Sequence, residues 1–221
     1  MNARVTGVGM TSSRTRARMI ERLRQQGIRN ESVLAAMNEV QRHIFVAEAL
    51  AHRAYEDTPL PIGCKQTISS PYIVARMIEI LLEGRSSLGR TLEVGTGCGY
   101  QAAVLGRLTR DIYSVERILP LLEKARTHLA ALPDLRHVRL RHTDGSLGLP
   151  LVAPFNSIIV AAAAVEIPRS LCDQLAPGGI LVLPVGEGEQ YLYCIRRTAQ
   201  KFVEEKLEAV RFVPLLTGLE K

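Results

Sequence analysis

Several features typical of metal-binding, redox and membrane proteins are missing from this sequence. It contains no tryptophan, and its four cysteines include no C-x-x-C pair, so neither a zinc site nor a redox dithiol is indicated. The longest uninterrupted apolar run, residues 158–165, is far shorter than the roughly 20 residues of a membrane-spanning helix. Residues 1–13 lack the apolar segment of a secretion signal. We therefore expect a cytoplasmic, monomeric protein with no metal and no membrane partner.

Acidic residues are scarce at the amino-terminal end. Residues 1–30 contain seven arginines and a single acid, Glu21, so this segment accounts for the whole net charge of +6. Proteins that bind single-stranded nucleic acids usually combine basic residues with aromatic ones, on which the bases stack. No aromatic residue is interspersed among these arginines. A basic stretch of this kind is more typical of a solvated helix face. We therefore expect no nucleic-acid partner.

The spacing of apolar residues predicts helices in the first third of the chain. Two helices are expected over residues 14–26 and 30–40, the second capped by its first residue, an asparagine. Residues 57–63 contain two prolines and a glycine, which predicts an irregular loop. Ser70 and Pro71 then favour the start of a third helix. Residues 1–65 are thus expected to form a helical cap and a loop on a larger domain of residues 66–221, in one compact unit.

Strands and helices alternate from Arg90 onwards. Strands are predicted over residues 90–94, 112–115, 138–141, 157–160 and 180–184, with helices from residue 100, over 119–129 and over 170–175. A turn is expected at residues 177–179, and residues 191–197 and 206–213 follow as strands without a helix between them. This order predicts an α/β fold with a doubly wound, mainly parallel Rossmann-like sheet and antiparallel strands at its carboxyl-terminal edge.

A glycine-rich loop follows the first of these strands. Its spacing is E-x-G-x-G-x-G, with the residues Glu93, Gly95, Gly97 and Gly99. Glycine lets the backbone approach a ligand closely. The loop resembles the S-adenosylmethionine loop of the methyltransferase superfamily. A nicotinamide-dependent dehydrogenase is the alternative, but its loop is usually G-x-G-x-x-G, and no histidine here is paired with an acid for hydride transfer.

Acidic residues also follow the next two predicted strands. The ligand of an open α/β sheet lies beyond the carboxyl ends of its strands, where Glu116 and Asp144 are expected. We expect Glu116 to accept hydrogen bonds from both ribose hydroxyls and Asp144 to meet the adenine amino group. Their neighbours Arg117 and Gly145 are assigned to the same cofactor site. Glu93 either organises the loop or reaches the amino group of the methionine part of the cofactor.

Several segments together resemble one family. Residues 61–63 (Pro-Ile-Gly) and 66–72 (Gln-Thr-Ile-Ser-Ser-Pro-Tyr) are the most specific, and residues 92–101, 113–117 and 144–145 match in the same order. In these segments the chain is similar to the protein-L-isoaspartate O-methyltransferases, and the similarity extends over about residues 12–217. The resemblance covers nearly the whole chain.

The resemblance implies a substrate and a second group of site residues. It implies methyl transfer from S-adenosylmethionine to the carboxylate of isoaspartyl residues in damaged peptides and proteins, with repair through a succinimide. It also implies a substrate pocket formed by Thr67, Ile68 and Ser69, with Ser69 as the active-site serine. The chain departs from the family at Asn156, commonly Asp, which puts any electrostatic role there in doubt, and at Lys65, often Gly.

Two alternatives remain open at this point. One is a methyltransferase of the same fold that acts on RNA or a small molecule, with the basic amino-terminal segment binding the substrate. The other is a catalytically silent module that binds the cofactor. Methylation of paired isoaspartyl and aspartyl peptides would separate these three interpretations.

Overall fold

The computed structural model describes residues 9–221, and both predicted amino-terminal helices are present. Helix α1 spans Ser13–Gln25, and the Thr15 N–H donates to Ser12 Oγ at its start. Helix α2 spans Glu31–Glu39, and the Asn30 side chain accepts hydrogen bonds from the first turn. The arginine-rich segment begins at Arg4, which lies outside the described residues, as do most of the residues considered for a secretion signal.

Part of the segment predicted as an irregular loop forms one strand of a β-hairpin, so the prediction was wrong for residues 60–63, whereas residues 57–59 are irregular as expected. Strand β1 (Leu60–Gly63) pairs antiparallel with β2 (Gln66–Ile68). Pro61 is tolerated because the two strands form a sheet of their own, in which each strand has one free edge. Cys64 and Lys65 connect the strands with φ values of 51° and 56°. Left-handed conformations at both central residues are typical of a type I′ hairpin turn.

Four further helices surround the main sheet. They are α3 (Pro71–Leu82), α4 (Tyr100–Leu108), α5 (Leu119–Ala130) and the short α6 (Arg169–Cys172). Ser70 stands at the N-cap position of α3, as expected, but its side chain makes no capping bond. Instead, Asp57 Oδ1 accepts the N–H of Tyr72 at 2.9 Å. Helix α6 ends earlier than predicted because Leu175 already belongs to the next strand.

The predicted α/β sheet is confirmed. Its seven strands are β3 (Thr91–Val94), β4 (Ile112–Glu116), β5 (Arg139–His142), β6 (Phe155–Val160), β7 (Leu175–Val185), β8 (Gln190–Arg197) and β9 (Phe202–Val210). They lie in the order β5-β4-β3-β6-β7-β8-β9. Pairing is parallel as far as β7, and β8 and β9 are antiparallel.

Two details at the carboxyl-terminal side of the sheet differ from the prediction. Residues 177–179, expected as a turn before a strand, lie inside β7, where the pairing shifts from Phe155↔Leu175 to Ser157↔Ile180. Strand β9 spans Phe202–Val210, so it begins and ends a few residues earlier than the strand predicted over residues 206–213. Residues beyond Val210 are therefore free to leave the sheet.

The strand order places a crevice at the carboxyl ends of β3 and its neighbours. The chain adds β4 and β5 on one side of β3 and then returns to place β6 on the other side. Such a reversal opens a ligand-binding crevice in doubly wound sheets. A buried apolar cluster joins Met19, Met37 and Ile78 of the helices to Ile159 and Val182 of the sheet.

No helix among residues 9–221 is long and apolar enough to cross a membrane.

Candidate active site

The glycine loop folds tightly between β3 and α4. The N–H groups of Gly95 and Thr96 both donate to the carbonyl of Val115, at 2.9 and 3.1 Å, which ties the loop to β4. Gly97 has φ +55°, and a Cβ there would come within 3.2 Å of the Ile62 side chain. Gly99, with φ +91°, is the N-cap residue of α4. A larger residue at position 97 would therefore be strained and would crowd the β1–β2 hairpin.

Glu93 lies beneath this loop and not in the cleft. It is fully buried, and burial raises its pKa to about 8 although the Ser114 hydroxyl donates a hydrogen bond to it. The Ser114 hydroxyl is also hydrogen-bonded to Thr96 of the loop, with 2.6 Å between the oxygens. The contacts of Glu93 therefore lead through Ser114 to Thr96 of the loop, and its role in organising the loop stays a prediction. A contact with the methionine part of the cofactor stays a prediction.

Glu116 connects the end of β4 to the glycine loop. Its Oε2 accepts the N–H of Gly97 at 2.8 Å, and its Oε1 accepts the N–H of Ile118 at 3.0 Å. The residue is only 6% exposed, yet it contributes to the wall of the cleft. A carboxylate oxygen can accept two hydrogen bonds. Glu116 therefore retains acceptor capacity for a ligand while it holds the loop in place.

Asp144 and Gly145 lie at the end of β5, as predicted, but only Gly145 reaches the cleft. Asp144 Oδ1 accepts the backbone and hydroxyl groups of Ser146, and its Oδ2 accepts the N–H of Gly218 at 2.6 Å. Burial opposes ionisation of Asp144, but the hydrogen bonds from Ser146 and Gly218 outweigh it and lower the pKa of this carboxyl. Contact between Asp144 and the adenine amino group stays a prediction.

Residues 213–220, here named the C-terminal strap, cross the carboxyl edge of the sheet. At one end the backbone of Ala163 is hydrogen-bonded to Val213 and Leu215, each at 2.7 Å. At the other end the backbone of Glu220 bonds to the carbonyl of Arg117 at 2.8 Å and to the N–H of Leu119 at 3.0 Å. The strap is therefore attached on both sides of the crevice.

The strap also bonds to the side chains of two predicted site residues, Asp144 and Arg117. Arg117 forms an ion pair with Glu220, with 2.9 Å between Nη1 and Oε2, and its Nε donates to the carbonyl of Gly218. Residues 213–216 line the cleft. Sequence reasoning assigned no site role to this segment. The apolar residues that follow β9 were the available signal that this segment packs against the protein. The sequence did not indicate that the surface they contact is the cleft.

The β1–β2 hairpin forms the opposite wall and carries the predicted substrate residues. Thr67 is exposed, Ile68 is buried, and Ser69 is half-buried next to Ser70, the N-cap residue of α3. All three line the same cleft as the glycine loop. Within residues 9–221 the Ser69 hydroxyl makes no hydrogen bond, so it is available to a ligand.

One cleft thus brings together most of the predicted site residues. Those that line it are Thr67, Ile68, Ser69, Gly95, Gly97, Glu116, Arg117 and Gly145. Glu93, Gly99 and Asp144 are adjacent to these residues but do not line the cleft. Among the described residues, no group of His, Cys, Asp and Glu side chains could hold a metal ion.

Asn156 and Lys65, two of the departures from the family pattern, lie in different parts of the structure. Asn156 lies at the amino end of β6, at the sheet edge opposite the cleft, where its Oδ1 accepts the N–H of Arg90 at 2.9 Å. The Asn156 amide oxygen bonds to the backbone away from the cleft, so the replacement of the family's Asp by Asn at this position does not change the charge of the cleft. Lys65, by contrast, is exposed in the turn of the hairpin that forms the cleft wall.

Known proteins match this chain over its length. Residues 14–220 match the sequence model of the family described as protein-L-isoaspartate(D-aspartate) O-methyltransferase. A protein-L-isoaspartate O-methyltransferase of Dechloromonas aromatica is 67% identical over 97% of this chain and 99% of its own length. The corresponding protein of Aromatoleum aromaticum is 60% identical over the whole of both chains.

Solved structures agree with this assignment. A protein of the same description from Plasmodium falciparum, in complex with S-adenosyl-L-homocysteine, has a TM-score of 0.81 and 26% identity. The alignment covers 91% of this chain and 98% of that one. A second protein-L-isoaspartate O-methyltransferase structure has a TM-score of 0.82 and 25% identity, over 93% of this chain and 67% of its own. This chain therefore belongs to the protein-L-isoaspartate(D-aspartate) O-methyltransferase family.

Proposed function

We propose that this protein transfers a methyl group from S-adenosylmethionine to the free carboxylate of L-isoaspartyl residues in damaged peptides and proteins. The observation that carries this proposal is the meeting of two walls in one cleft. The hairpin wall contains Thr67, Ile68 and Ser69, and the other contains the glycine loop with Glu116. Family membership and the Plasmodium falciparum structure with S-adenosyl-L-homocysteine support the same donor and acceptor.

The residues of the cleft fit an adenosine-containing cofactor. The glycine loop leaves room at the backbone, and Glu116 offers free lone pairs in the position expected for the ribose hydroxyls. Arg117 and Gly145 would form the wall beside the adenine. Asp144 lies next to Gly145 but does not line the cleft in this structure, so a contact between its Oδ2 and the adenine amino group would require the cofactor or the strap to shift. When bound, S-adenosylmethionine supplies a methyl group on a positively charged sulfur, which keeps the bond electrons as the methyl carbon binds oxygen.

Ser69 would orient the carboxylate. An isoaspartyl carboxyl has a reference pKa near 4, so it is ionised at neutral pH and needs no general base. Positioning of the reacting groups can lower the barrier by roughly 7 to 11 kcal/mol. The Ser69 hydroxyl, available at the start of α3, can donate to one carboxylate oxygen and leave the other free to attack. The backbone nitrogen of the following residue would then attack the ester carbonyl and expel methanol. Water would open the resulting succinimide, which returns part of the backbone to normal aspartate.

The remaining features of the proposal concern the whole molecule. We infer that the helical cap and the methyltransferase domain form one compact unit, since the predicted boundary between residues 65 and 66 lies in the hairpin turn. A monomer in the cytoplasm, with no nucleic-acid or membrane partner, is part of the same proposal.

Methyl transfer to matched peptides tests the proposed function. Two peptides that differ only in isoaspartate versus aspartate are incubated with labelled S-adenosylmethionine, and the label in each is counted. We expect label in the isoaspartyl peptide alone. Equal labelling of both peptides, or labelling of RNA alone, would contradict the proposal. If neither is labelled although calorimetry detects the cofactor, the protein is a silent binding module.

A further inference from the structure

The turn of the β1–β2 hairpin carries a lysine in a conformation that few side chains adopt. Lys65 has φ +56° and is exposed, and it lies two residues before Thr67 of the cleft wall. A left-handed conformation is unfavourable for residues with a Cβ, so glycine or asparagine would be less strained. The side chain therefore adds a charge at a position where smaller residues fit the backbone better.

A second lysine lies against the same hairpin. Lys124 of α5 places its Nζ 3.3 Å from the carbonyl oxygen of Ile62 in β1. Among the described residues, neither Lys65 nor Lys124 forms an ion pair with a carboxylate. The acid next to Lys124, Glu123, is paired with Arg126 at 2.5 Å. Within residues 9–221, this end of the hairpin therefore carries two lysines that are not paired with a carboxylate.

This end of the hairpin lies within reach of an extended peptide in the cleft. An extended strand advances about 3.3 Å per residue, so Lys65 lies roughly 13 Å from Ser69 along β2. A peptide whose isoaspartyl residue is at Ser69 and which runs beside β2 would place a residue about two to four positions away near Lys65. A charge at the rim of an interface mainly changes the association rate and its salt dependence.

We propose that Lys65, assisted by Lys124, makes this enzyme prefer isoaspartyl sites flanked by acidic residues. This inference rests on the proposed function, because the flanking residues matter only if isoaspartyl peptides are substrates. An acidic side chain about two to four residues from the damaged position would meet the positive hairpin end. A basic side chain at the same position would be repelled.

The test uses an otherwise neutral isoaspartyl peptide in which Glu or Lys is placed at each position on either side. For the unmodified enzyme we expect kcat/KM to be about two- to fivefold higher with Glu than with Lys at positions on one side, the range for exposed charge pairs. The preference should shrink at about 1 M salt, where the screening length falls to roughly 3 Å. The Lys65→Asn variant fits the left-handed turn and should abolish most of the preference, whereas Lys65→Arg should keep it.

Lys201→Asn is the matched control. Lys201 lies in the turn between β8 and β9, at the sheet edge opposite the cleft, so its loss should leave the Glu-to-Lys ratio unchanged. A ratio near one in the unmodified enzyme, or an undiminished ratio in Lys65→Asn, would overturn the inference. In either case, continued labelling of isoaspartyl peptides would leave the proposed function intact. If no isoaspartyl peptide is labelled at all, the proposed function itself fails.

Discussion

Replacement of Glu116 by alanine is the most informative single perturbation of the cleft. In the structure this carboxylate holds Gly97 and Ile118 through their N–H groups, at 2.8 and 3.0 Å. It is also the group that we expect to bind both ribose hydroxyls. The change should therefore lower the free energy of unfolding of the free protein and also weaken cofactor binding. The two effects can be measured independently.

Both magnitudes follow from hydrogen bonds to a charged group. Each such bond contributes about 1.5–3 kcal/mol, and the carboxylate is too buried for water to replace it readily. With two backbone bonds lost, each at the lower end of that range, the free energy of unfolding should fall by about 3 kcal/mol. Loss of the ribose bonds should weaken binding by another 1.5–3 kcal/mol or about 10- to 150-fold in Kd. We expect the loss of affinity to lie at the upper end of this range, since the glycine loop also loses its hydrogen bond from Gly97 to Glu116.

Urea unfolding of the free protein and calorimetry with S-adenosyl-L-homocysteine measure the two effects. Asp111→Asn is the control, because Asp111 lies just before the other end of β4 and bonds to Arg90 and Arg139 away from the cleft. It should leave the Kd unchanged. If Glu116→Ala lowers stability but leaves the Kd unchanged, Glu116 is a loop anchor and does not bind the ribose.

Three further changes test other parts of the cleft. Ser69→Ala should leave the Kd for S-adenosyl-L-homocysteine nearly intact but lower kcat/KM for the isoaspartyl peptide; full activity would reduce Ser69 to a helix-start residue. Burial raises the pKa of Glu93 to about 8, so between about pH 5 and pH 8 the folded protein holds a proton that the unfolded chain has released. The free energy of unfolding should therefore fall by up to about 4 kcal/mol over that interval, and Glu93→Gln should remove this dependence in urea unfolding. Glu220→Gln breaks the ion pair between the exposed Glu220 and the half-buried Arg117. Such a partly exposed pair contributes at most about 1 kcal/mol, so cofactor dissociation in stopped-flow experiments should accelerate by no more than about fivefold.

The fold was largely predictable because its signals are local. Helix starts such as Asn30 and Pro71 and the alternation of strands with helices depend on neighbouring residues, and the structure confirms them. The main error was the segment before β2. Its prolines and glycine indicate a loop when considered alone, but pairing of Leu60 with Ile68 makes it a strand. Local propensity is a weak guide wherever a distant partner supplies the hydrogen bonds.

The glycine loop and the acids at the ends of β4 and β5 were determined by the sequence itself, since a ligand-binding loop and a strand end are defined by residues a few positions apart. Only the tertiary structure decided how these groups are used. It buried Glu93 beneath the loop, turned Asp144 towards Gly218, and brought residues 213–220 across the crevice. The positions of Asp144 and of residues 213–220 depend on contacts between residues far apart in the sequence, such as Asp144 with Gly218 and Arg117 with Glu220, and such contacts leave no periodic pattern in the chain. The burial of Glu93 depends on the packing of β3 beside β4.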